Sequence, residues 1–257
     1  GRGIGRWLAQ HFAAKGMRSC ALDIDAYEAE ETARLCGDES RAHGCDVSDR
    51  DETERVAEKL VALGVEPSLL WIHAGVGTAD TVGDAKARTL DWLIGVNVMG
   101  PINTAQAWLP SLKAQTGARH VGITASSASV TPVSAPFTLY ATTKQMTASV
   151  GEALTAELAD EDIGVTVLCP GILNTQIWNA AQARPERFGG ARQAPEETGD
   201  HWRAQPGPEI LEQGLEKTLA RGGGWCIIPT EAQTAAKVEA RHAAQREGLF
   251  RYAADGD

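Results

Sequence analysis

A tyrosine and a lysine lie four residues apart in the stretch LYATTKQM, which spans residues 139–146. At this spacing on a helix, Tyr140 and Lys144 project from the same face one turn apart, so the phenol and the ammonium can meet in one pocket. A nearby cation favours the phenolate and lowers the phenol pKa from its ordinary value of about 10. The pair is therefore a candidate for acid–base chemistry near neutral pH.

The chain opens with GRGIG, in which glycines alternate at positions 1, 3 and 5 before the amphipathic segment RWLAQHFAAKG. Glycines before a helix let backbone N–H groups approach a pyrophosphate, and the helix dipole favours the same anion. Asp23 follows at the end of the next predicted strand, where a carboxylate can bind both ribose hydroxyls of NAD and repel the 2′-phosphate of NADP. Arg2 could instead contact that phosphate, so the sequence favours NAD and leaves NADP open.

Short apolar runs alternate with longer amphipathic ones, which is the pattern of βαβ units and a parallel sheet. The predicted strands lie in residues 19–24, 41–47, 68–75, 120–126, 163–171 and 225–229. Helices are predicted over residues 26–35, 51–63 and 139–158, with one or two more within 85–114. Either Ser48 or Asp49 is expected to cap the helix over residues 51–63.

Two segments and the start of the chain depart from this pattern. Residues 174–208 are rich in Gln, Arg, Pro, Gly and Glu, and connections of that length are typically functional lids or disordered segments. The tail over residues 231–257 has a helical composition. A glycine-rich turn normally follows a strand, and a missing central strand would expose two sheet edges. We therefore expect the natural protein to carry a further N-terminal strand.

Composition narrows the class of protein. A chain of 257 residues that is 43% hydrophobic is long enough for one α/β domain over residues 1–257. The net charge of -10 argues against nucleic acid or an anionic membrane as the main partner. The five cysteines form no CxxC pair and the start lacks the apolar core of a secretory signal, so we expect a cytoplasmic protein without a metal site.

Several motifs, taken in order, resemble those of single-domain short-chain dehydrogenases/reductases. The motifs are GRGIG, the acid in LDID, CDVSD, the AG of IHAGVG, the asparagine in GVNVMG, ITASS, YATTK and CPGILNT. The resemblance covers roughly residues 1–178 and, more loosely, the strand near Trp225. It implies a Rossmann-type doubly wound sheet in a three-layer α/β/α arrangement, here without its first strand, with NAD or NADP across the carboxyl ends of the strands.

The resemblance also implies catalytic roles. Tyr140 corresponds to the acid/base, and Lys144 to the residue that lowers its pKa and holds the nicotinamide ribose. Asn97 corresponds to an asparagine that orders a water linking Lys144 to solvent. Ser126, at the end of a strand in motif register, corresponds to the serine that polarises the substrate carbonyl, and Ser127 at the commoner family spacing stays a second candidate.

Cofactor contacts are implied at a further set of positions. These are Gly1, Arg2, Gly3, Ile4, Gly5, Asp23, Asp46, Val47, Ala74, Gly75, Tyr140, Lys144, Pro170, Gly171 and Thr175. Asp46 is expected at the adenine amino group, and Thr175 at the nicotinamide carboxamide. The chain departs from the family at Ile72 and His73, where two asparagines are usual, and we expect His73 to be a core histidine bonded to backbone.

The motifs together predict an NAD-dependent oxidoreductase that interconverts a small or medium secondary alcohol and its ketone. The predicted pocket walls are Val130, Pro132, Ile172, Trp178 and the long loop over residues 174–208. The alternative is a non-catalytic dinucleotide-binding sensor or scaffold, whose signature would be loss of Tyr140 or Lys144. Residues 98–114 and 141–158 present small and apolar faces, and because such faces form the oligomer in this family, the resemblance implies a homodimer or homotetramer. From the sequence alone, both segments could equally pack on their own sheet.

Overall fold

The computed structural model describes residues 1–248, so residues 249–257 of the predicted tail lie outside the described part. The strands are β1 (Cys20–Asp23), β2 (Arg41–Gly44), β3 (Leu69–Ile72), β4 (Arg119–Thr124), β5 (Ile163–Pro170) and β6 (Gly223–Ile228). The α-helices are α1 (Gly3–Ala13), α2 (Ala26–Cys36), α3 (Arg50–Ala62), α4 (Ala87–Ile94), α5 (Gly100–Lys113), α6 (Thr138–Glu157), α7 (Asp200–Arg203), α8 (Glu212–Ala220) and α9 (Thr234–Glu247). The predicted strands and helices are confirmed with shifted ends, and the cap of α3 is Asp49, whose side chain accepts from the N–H of Glu52.

The strands form two parallel sheets. β3, β4, β5 and β6 are hydrogen-bonded in that order, and β1 pairs with β2. The predicted Rossmann-type α/β fold is confirmed, with β6 closing one edge of the larger sheet. Within residues 1–248 no strand joins β1 to β3, and the two edges line a cavity of about 910 Å³. These are the two exposed edges that the sequence predicts.

Helices cover both faces of the larger sheet. Leu70 and Ile72 of β3 join the core formed with α3, α5 and α6, whereas Trp71 between them joins an apolar cluster with residues of α1 and β6. β5 shows the same alternation, since Val167 lies in the first cluster and Leu168 in the second. This period of two is the geometry of a strand buried on both faces. The residues that α5 and α6 contribute to the first cluster therefore pack against their own sheet.

The predicted helical region within residues 85–114 forms one continuous helical segment. α4 passes directly into a π-helical segment, Gly95–Met99, and this passes into α5. π-helical insertions are rare and change which side chains face the same way. Here the insertion carries Asn97, which is completely buried.

The predicted long loop, residues 174–208, has regular local structure. It contains 3₁₀ turns at Ile177–Ala183, Glu186–Phe188 and Glu196–Gly199, followed by α7. The predicted helical composition of the tail is confirmed over α9. Among residues 1–248, no helix combines the length and the apolar character needed to cross a membrane.

Candidate active site

Tyr140 and Lys144 both lie on α6, as the spacing predicts. Lys144 is 3% exposed, and its Nζ donates to the backbone oxygen of Thr124, 3.0 Å away, at the end of β4. A methyl group built on Gly75 would lie 2.9 Å from that Nζ. The absence of a side chain at Gly75 therefore lets the chain that follows β3 pass directly over the ammonium.

Burial shifts the pKa of both groups. Loss of water lowers the pKa of Lys144 to about 8, because the charged form is the one that burial disfavours. Burial raises the pKa of Tyr140, and the hydrogen bond with Ser126 acts in the opposite direction. The direction for Tyr140 is contrary to the acidification predicted from the Tyr140–Lys144 spacing, because desolvation is the largest of these influences.

Ser126 lies two residues beyond β4, so the prediction that it ends the strand is wrong. It begins the 3₁₀ turn Ser127–Ser129, and its Oγ accepts from the N–H of Ala128 at 3.2 Å. Its side chain is close enough to Tyr140 to affect the phenol pKa. Ser127 follows within the turn, where its backbone oxygen accepts from Val130 at 3.1 Å.

The turn that carries both serines is fastened from two sides. Ser129 Oγ donates to the backbone oxygen of Lys144 at 2.7 Å, which ties the turn to α6. From α9, the guanidinium of Arg241 donates to the backbone oxygens of Ser129 and Thr131 at 3.1 and 2.9 Å. The tail, for which the sequence indicates no chemistry, thus supports the candidate site from outside.

Asn97 joins three segments of the chain. Its Nδ2 donates to Val76 O and to Thr143 Oγ1, both at 2.9 Å, and its Oδ1 accepts from Val76 N at 2.9 Å. Its backbone oxygen accepts from Thr147 Oγ1 at 2.7 Å. The side chain therefore holds the chain after β3 against α6, and the water relay stays a prediction.

The glycine-rich start lies partly inside a helix, contrary to the predicted loop before the helix. α1 begins at Gly3, whose φ of +51° favours glycine. A methyl group on Gly3 would lie 3.2 Å from Thr175, so this glycine brings the two segments together. A methyl group on Gly5 would lie 2.6 Å from His73 Cδ2, so Gly5 serves close packing of α1 on the end of β3.

A groove runs along the carboxyl ends of the strands and encloses a cavity of about 240 Å³. Most of the predicted cofactor contacts line it, and these are Gly1, Arg2, Gly3, Ile4, Asp23, Asp46, Val47, Ala74, Gly75, Tyr140, Lys144, Pro170 and Thr175. Among the described residues, those predicted at the site but outside this lining are Gly5, Asn97, Ser126, Ser127 and Gly171. The cavity is also bounded by Ile177, Ala180 and Pro185 of the long loop, which was predicted as a wall, whereas the predicted walls Val130, Pro132, Ile172 and Trp178 are outside its lining.

Gly171 acts just behind the groove. Its N–H donates to Ile228 O at 2.8 Å, and a methyl group on it would lie 2.5 Å from the backbone nitrogen of Thr230. Only glycine permits this approach, which joins the end of β5 to the chain after β6. Gly171 thereby fixes the path of the segment that runs on to Thr175.

An acidic cluster lies where β1 ends. Asp23 Oδ1 accepts from the N–H of Asp25 at 2.9 Å, and the side chain lines the groove. Arg2 is paired with Asp25 and Glu28, each at 3.0 Å, and Arg6 with Glu28 at 2.7 Å. The guanidinium of Arg2 is thus already engaged by two carboxylates, which weakens the case for Arg2 as a phosphate ligand.

Asp46 has a partner that the sequence analysis missed. Its Oδ2 accepts from Arg187 Nη2 at 2.7 Å, and the same nitrogen donates to Ser48 Oγ at 2.8 Å. Arg187 belongs to the long loop, 141 residues from Asp46. No local sequence signal links positions so far apart.

His73 is held by a side-chain hydroxyl rather than by backbone as predicted. Its Nδ1 lies 3.1 Å from Thr124 Oγ1, which also accepts from Trp71 Nε1 at 2.9 Å. Burial, with the positive charge of Lys144 nearby, lowers the pKa of His73 to about 3. The imidazole is therefore neutral at physiological pH.

The neutral state of His73 predicts an acid-sensitive fold. Because the folded pKa is below the unfolded value of 6.5, the stabilisation is complete above pH 6.5 and declines as the pH falls towards 3. We expect the wild type to lose about 2 kcal/mol more than His73→Asn in its free energy of unfolding between pH 7 and 5. Urea unfolding at both pH values measures this, with His242→Asn as an exposed control. Equal losses in wild type and His73→Asn would contradict the prediction.

The doubly wound parallel sheet, with a groove at the carboxyl ends of its strands, defines a Rossmann-type protein. The sequence pattern of the family described as short chain dehydrogenase matches residues 1–186, and the chain belongs to this family.

Relatives and a solved structure agree with this assignment. The "Probable oxidoreductase EphD" of Mycobacterium bovis is 31% identical over 180 residues, which are 69% of this chain and 30% of that protein. The C alpha-dehydrogenase of a Sphingobium species is 31% identical over 191 residues, which are 73% of this chain and 62% of that protein. The chain thus spans less than a third of the first relative and less than two thirds of the second. A short chain dehydrogenase/reductase from Burkholderia phymatum, crystallised in complex with NAD, matches with a TM-score of 0.84 and 25% identity, over 99% of this chain and 94% of that one.

Proposed function

We propose that this protein is an NAD(P)-dependent oxidoreductase that interconverts a secondary alcohol and a ketone. The observation that carries the proposal is the convergence of Tyr140, Lys144, Thr175 and Asp23 on one groove. These residues come from α6, the segment after β5, and the end of β1. A phenol beside an ammonium, with a carboxylate that could bind the ribose in the same groove, would suit a dinucleotide whose reactive ring lies beside the phenol.

The residues present fit a nicotinamide dinucleotide. The first turn of α1 offers backbone N–H groups without intrahelical partners beside Gly1 and Gly3, which suits a pyrophosphate. Gly75 and Lys144 both line the groove, where a ribose would meet the ammonium. When bound, the dinucleotide supplies or accepts the hydride. Thr175, which lies beside Gly3, would hold the carboxamide end.

The proposed acid–base step uses this chain's own groups. With its pKa raised by burial, Tyr140 is a neutral phenol near pH 7 and can donate its proton to the oxygen of a carbonyl substrate undergoing reduction. Ser126, beside Tyr140, would donate a second hydrogen bond to that oxygen, with Ser127 as the other candidate. Lys144, whose pKa is about 8, would pass a proton to the phenolate. In the oxidation of an alcohol, the same transfers run in reverse.

NAD is the proposed cofactor, and NADP is the alternative. Asp23 would repel a 2′-phosphate, while Arg2, the cation that could attract it, is paired with Asp25 and Glu28. The related Burkholderia phymatum structure is in complex with NAD and a related metagenomic short-chain oxidoreductase is in complex with NADP, so the choice of NAD rests on Asp23 and Arg2.

Thermal unfolding with NAD+, NADH, NADP+ and NADPH tests the proposal without a known substrate. NADH at about 100 times its Kd is expected to stabilise the fold by about 2.7 kcal/mol, with a smaller effect from NADPH. Asp23→Asn should narrow the difference between the two, and Glu30→Gln, which removes an exposed acid from α2, should not. If no nucleotide raises the midpoint, the proposed function is wrong. Binding without turnover on a panel of alcohols and ketones would favour the non-catalytic sensor.

A further inference from the structure

Asp46 lines the groove just after β2 and is almost entirely enclosed. Its side chain is 9% exposed, and its Oδ1 accepts from Ser48 N at 3.0 Å and from Ser48 Oγ at 2.6 Å. The other oxygen, Oδ2, accepts from Arg187 at 2.7 Å. Both carboxylate oxygens are therefore engaged within the protein.

The arginine that covers Asp46 is anchored by its neighbour. The guanidinium of Arg187 lies 4.7 Å from the ring centre of Phe188. Phe188 packs against the cluster of Trp92, Leu93 and Val96, and a methyl group on Gly95 would lie 3.2 Å from its ring. Phe188 therefore holds Arg187 in a defined position, although the side chain of Arg187 is 45% exposed.

The long loop that carries Arg187 also lines the groove. Ile177, Ala180 and Pro185, all preceding Arg187, line the cavity of about 240 Å³ together with Asp46. The contact between Arg187 and Asp46 therefore joins this loop to a residue of the groove. A movement of Arg187 away from Asp46 would free both the carboxylate and this part of the loop.

A charged donor and a neutral donor would compete for Asp46. This inference rests on the proposed function and on the expectation, implied by the family resemblance, that the adenine amino group of the dinucleotide donates to this carboxylate. A guanidinium forms a stronger hydrogen bond with a carboxylate than a neutral amino group does, and a buried carboxylate without a cation is costly. The nucleotide must therefore displace or share the contact that Arg187 makes.

We propose that Arg187 is a specificity-determining residue for the adenine end of the cofactor. It weakens the binding of adenine-containing nucleotides by occupying Asp46, and the loop yields at this point when such a nucleotide binds. Nicotinamide mononucleotide has no adenine, so its binding does not involve this competition.

The test compares NADH with reduced nicotinamide mononucleotide by fluorescence titration. Arg187→Ala is expected to lower the Kd of NADH about tenfold and to leave the Kd of the mononucleotide unchanged. Arg203→Ala is the matched control, because Arg203 lies on the same loop but pairs with the exposed Glu196 and Asp200. It should change neither Kd.

The ratio of the two Kd values separates competition from a general loss of structure. An unchanged or raised Kd of NADH in Arg187→Ala, or an equal change for both ligands, would overturn the inference. If Arg187→Ala does not unfold cooperatively, Arg187→Gln is measured instead. Tighter NADH binding is expected for this variant, and unchanged or weaker NADH binding would overturn the inference. If both ligands bind and Arg187→Ala leaves the ratio of their Kd values unchanged, only the inference is contradicted. If neither ligand binds to any variant, the proposed function is contradicted and the inference with it.

Discussion

Tyr140→Phe is expected to reduce the turnover of alcohol oxidation and ketone reduction by about 10²- to 10⁴-fold, the usual contribution of a positioned acid–base group. The substitution removes one hydroxyl and keeps the ring that packs against Trp92, Leu93 and Val96. The backbone at Gly77 passes near that ring, since a methyl group there would lie 3.5 Å from Cδ2. The fold and the cofactor affinity should therefore change little while the proton transfer is lost.

The measurement is kcat on the best alcohol and ketone of a panel, together with the Kd of NADH. Tyr27→Phe is the matched control, because Tyr27 is 65% exposed and lies on α2. Turnover within a few-fold of wild type in Tyr140→Phe would remove Tyr140 from the mechanism. A parallel loss of NADH binding would instead show that the hydroxyl supports the groove rather than the chemistry.

The fold was predictable because its signals are local. Apolar runs flanked by turns place the strands of a parallel sheet, and the alternation of Leu70, Trp71 and Ile72 between two apolar clusters is the direct result of strand geometry. Asp49 precedes a helical pattern with Glu52 three residues on, and its carboxylate caps the helix at that residue. Such features depend on neighbours in the sequence.

Details of the site were less predictable because they depend on exact register or on burial. β4 ends two residues before Ser126, and a π-helical segment carries Asn97, although the motif spacing indicates neither. The direction of the pKa shift of Tyr140 depends on how much water the fold removes, which helical spacing does not reveal. The contact between Arg187 and Asp46 joins positions that no periodic pattern relates.

Lys144→Met is the second substitution with a large expected effect, and we expect opposite effects on activity and on stability. Turnover should fall by orders of magnitude, because the group that would reprotonate Tyr140 is lost. Stability should respond in the opposite direction at neutral pH. Burial lowers the pKa of Lys144 from 10.5 to about 8, so keeping the ammonium buried costs the folded state about 3 kcal/mol at pH 7.

The pH dependence separates this cost from other effects of the substitution. Between pH 8 and 10.5 the unfolded chain binds more protons at Lys144 than the folded protein, so the wild type gains stability as the pH rises through that range. Methionine has no such dependence, and the groups common to both proteins cancel in the difference. Urea unfolding at pH 7 and pH 10.5 should therefore show the stability of Lys144→Met relative to wild type falling by about 3 kcal/mol.

The lost bond to Thr124 O lowers the stability of Lys144→Met by a similar amount at both pH values. It therefore does not alter the expected change in relative stability between them. Lys217→Met, on the exposed face of α8, is the control and should show no change in relative stability between the two pH values. A pH-independent difference between wild type and Lys144→Met would mean that Lys144 keeps an ordinary pKa in the folded protein. In that case the proposed transfer of a proton from Lys144 to the phenolate would lack its driving force near neutral pH, and the role of Lys144 would reduce to holding the ribose.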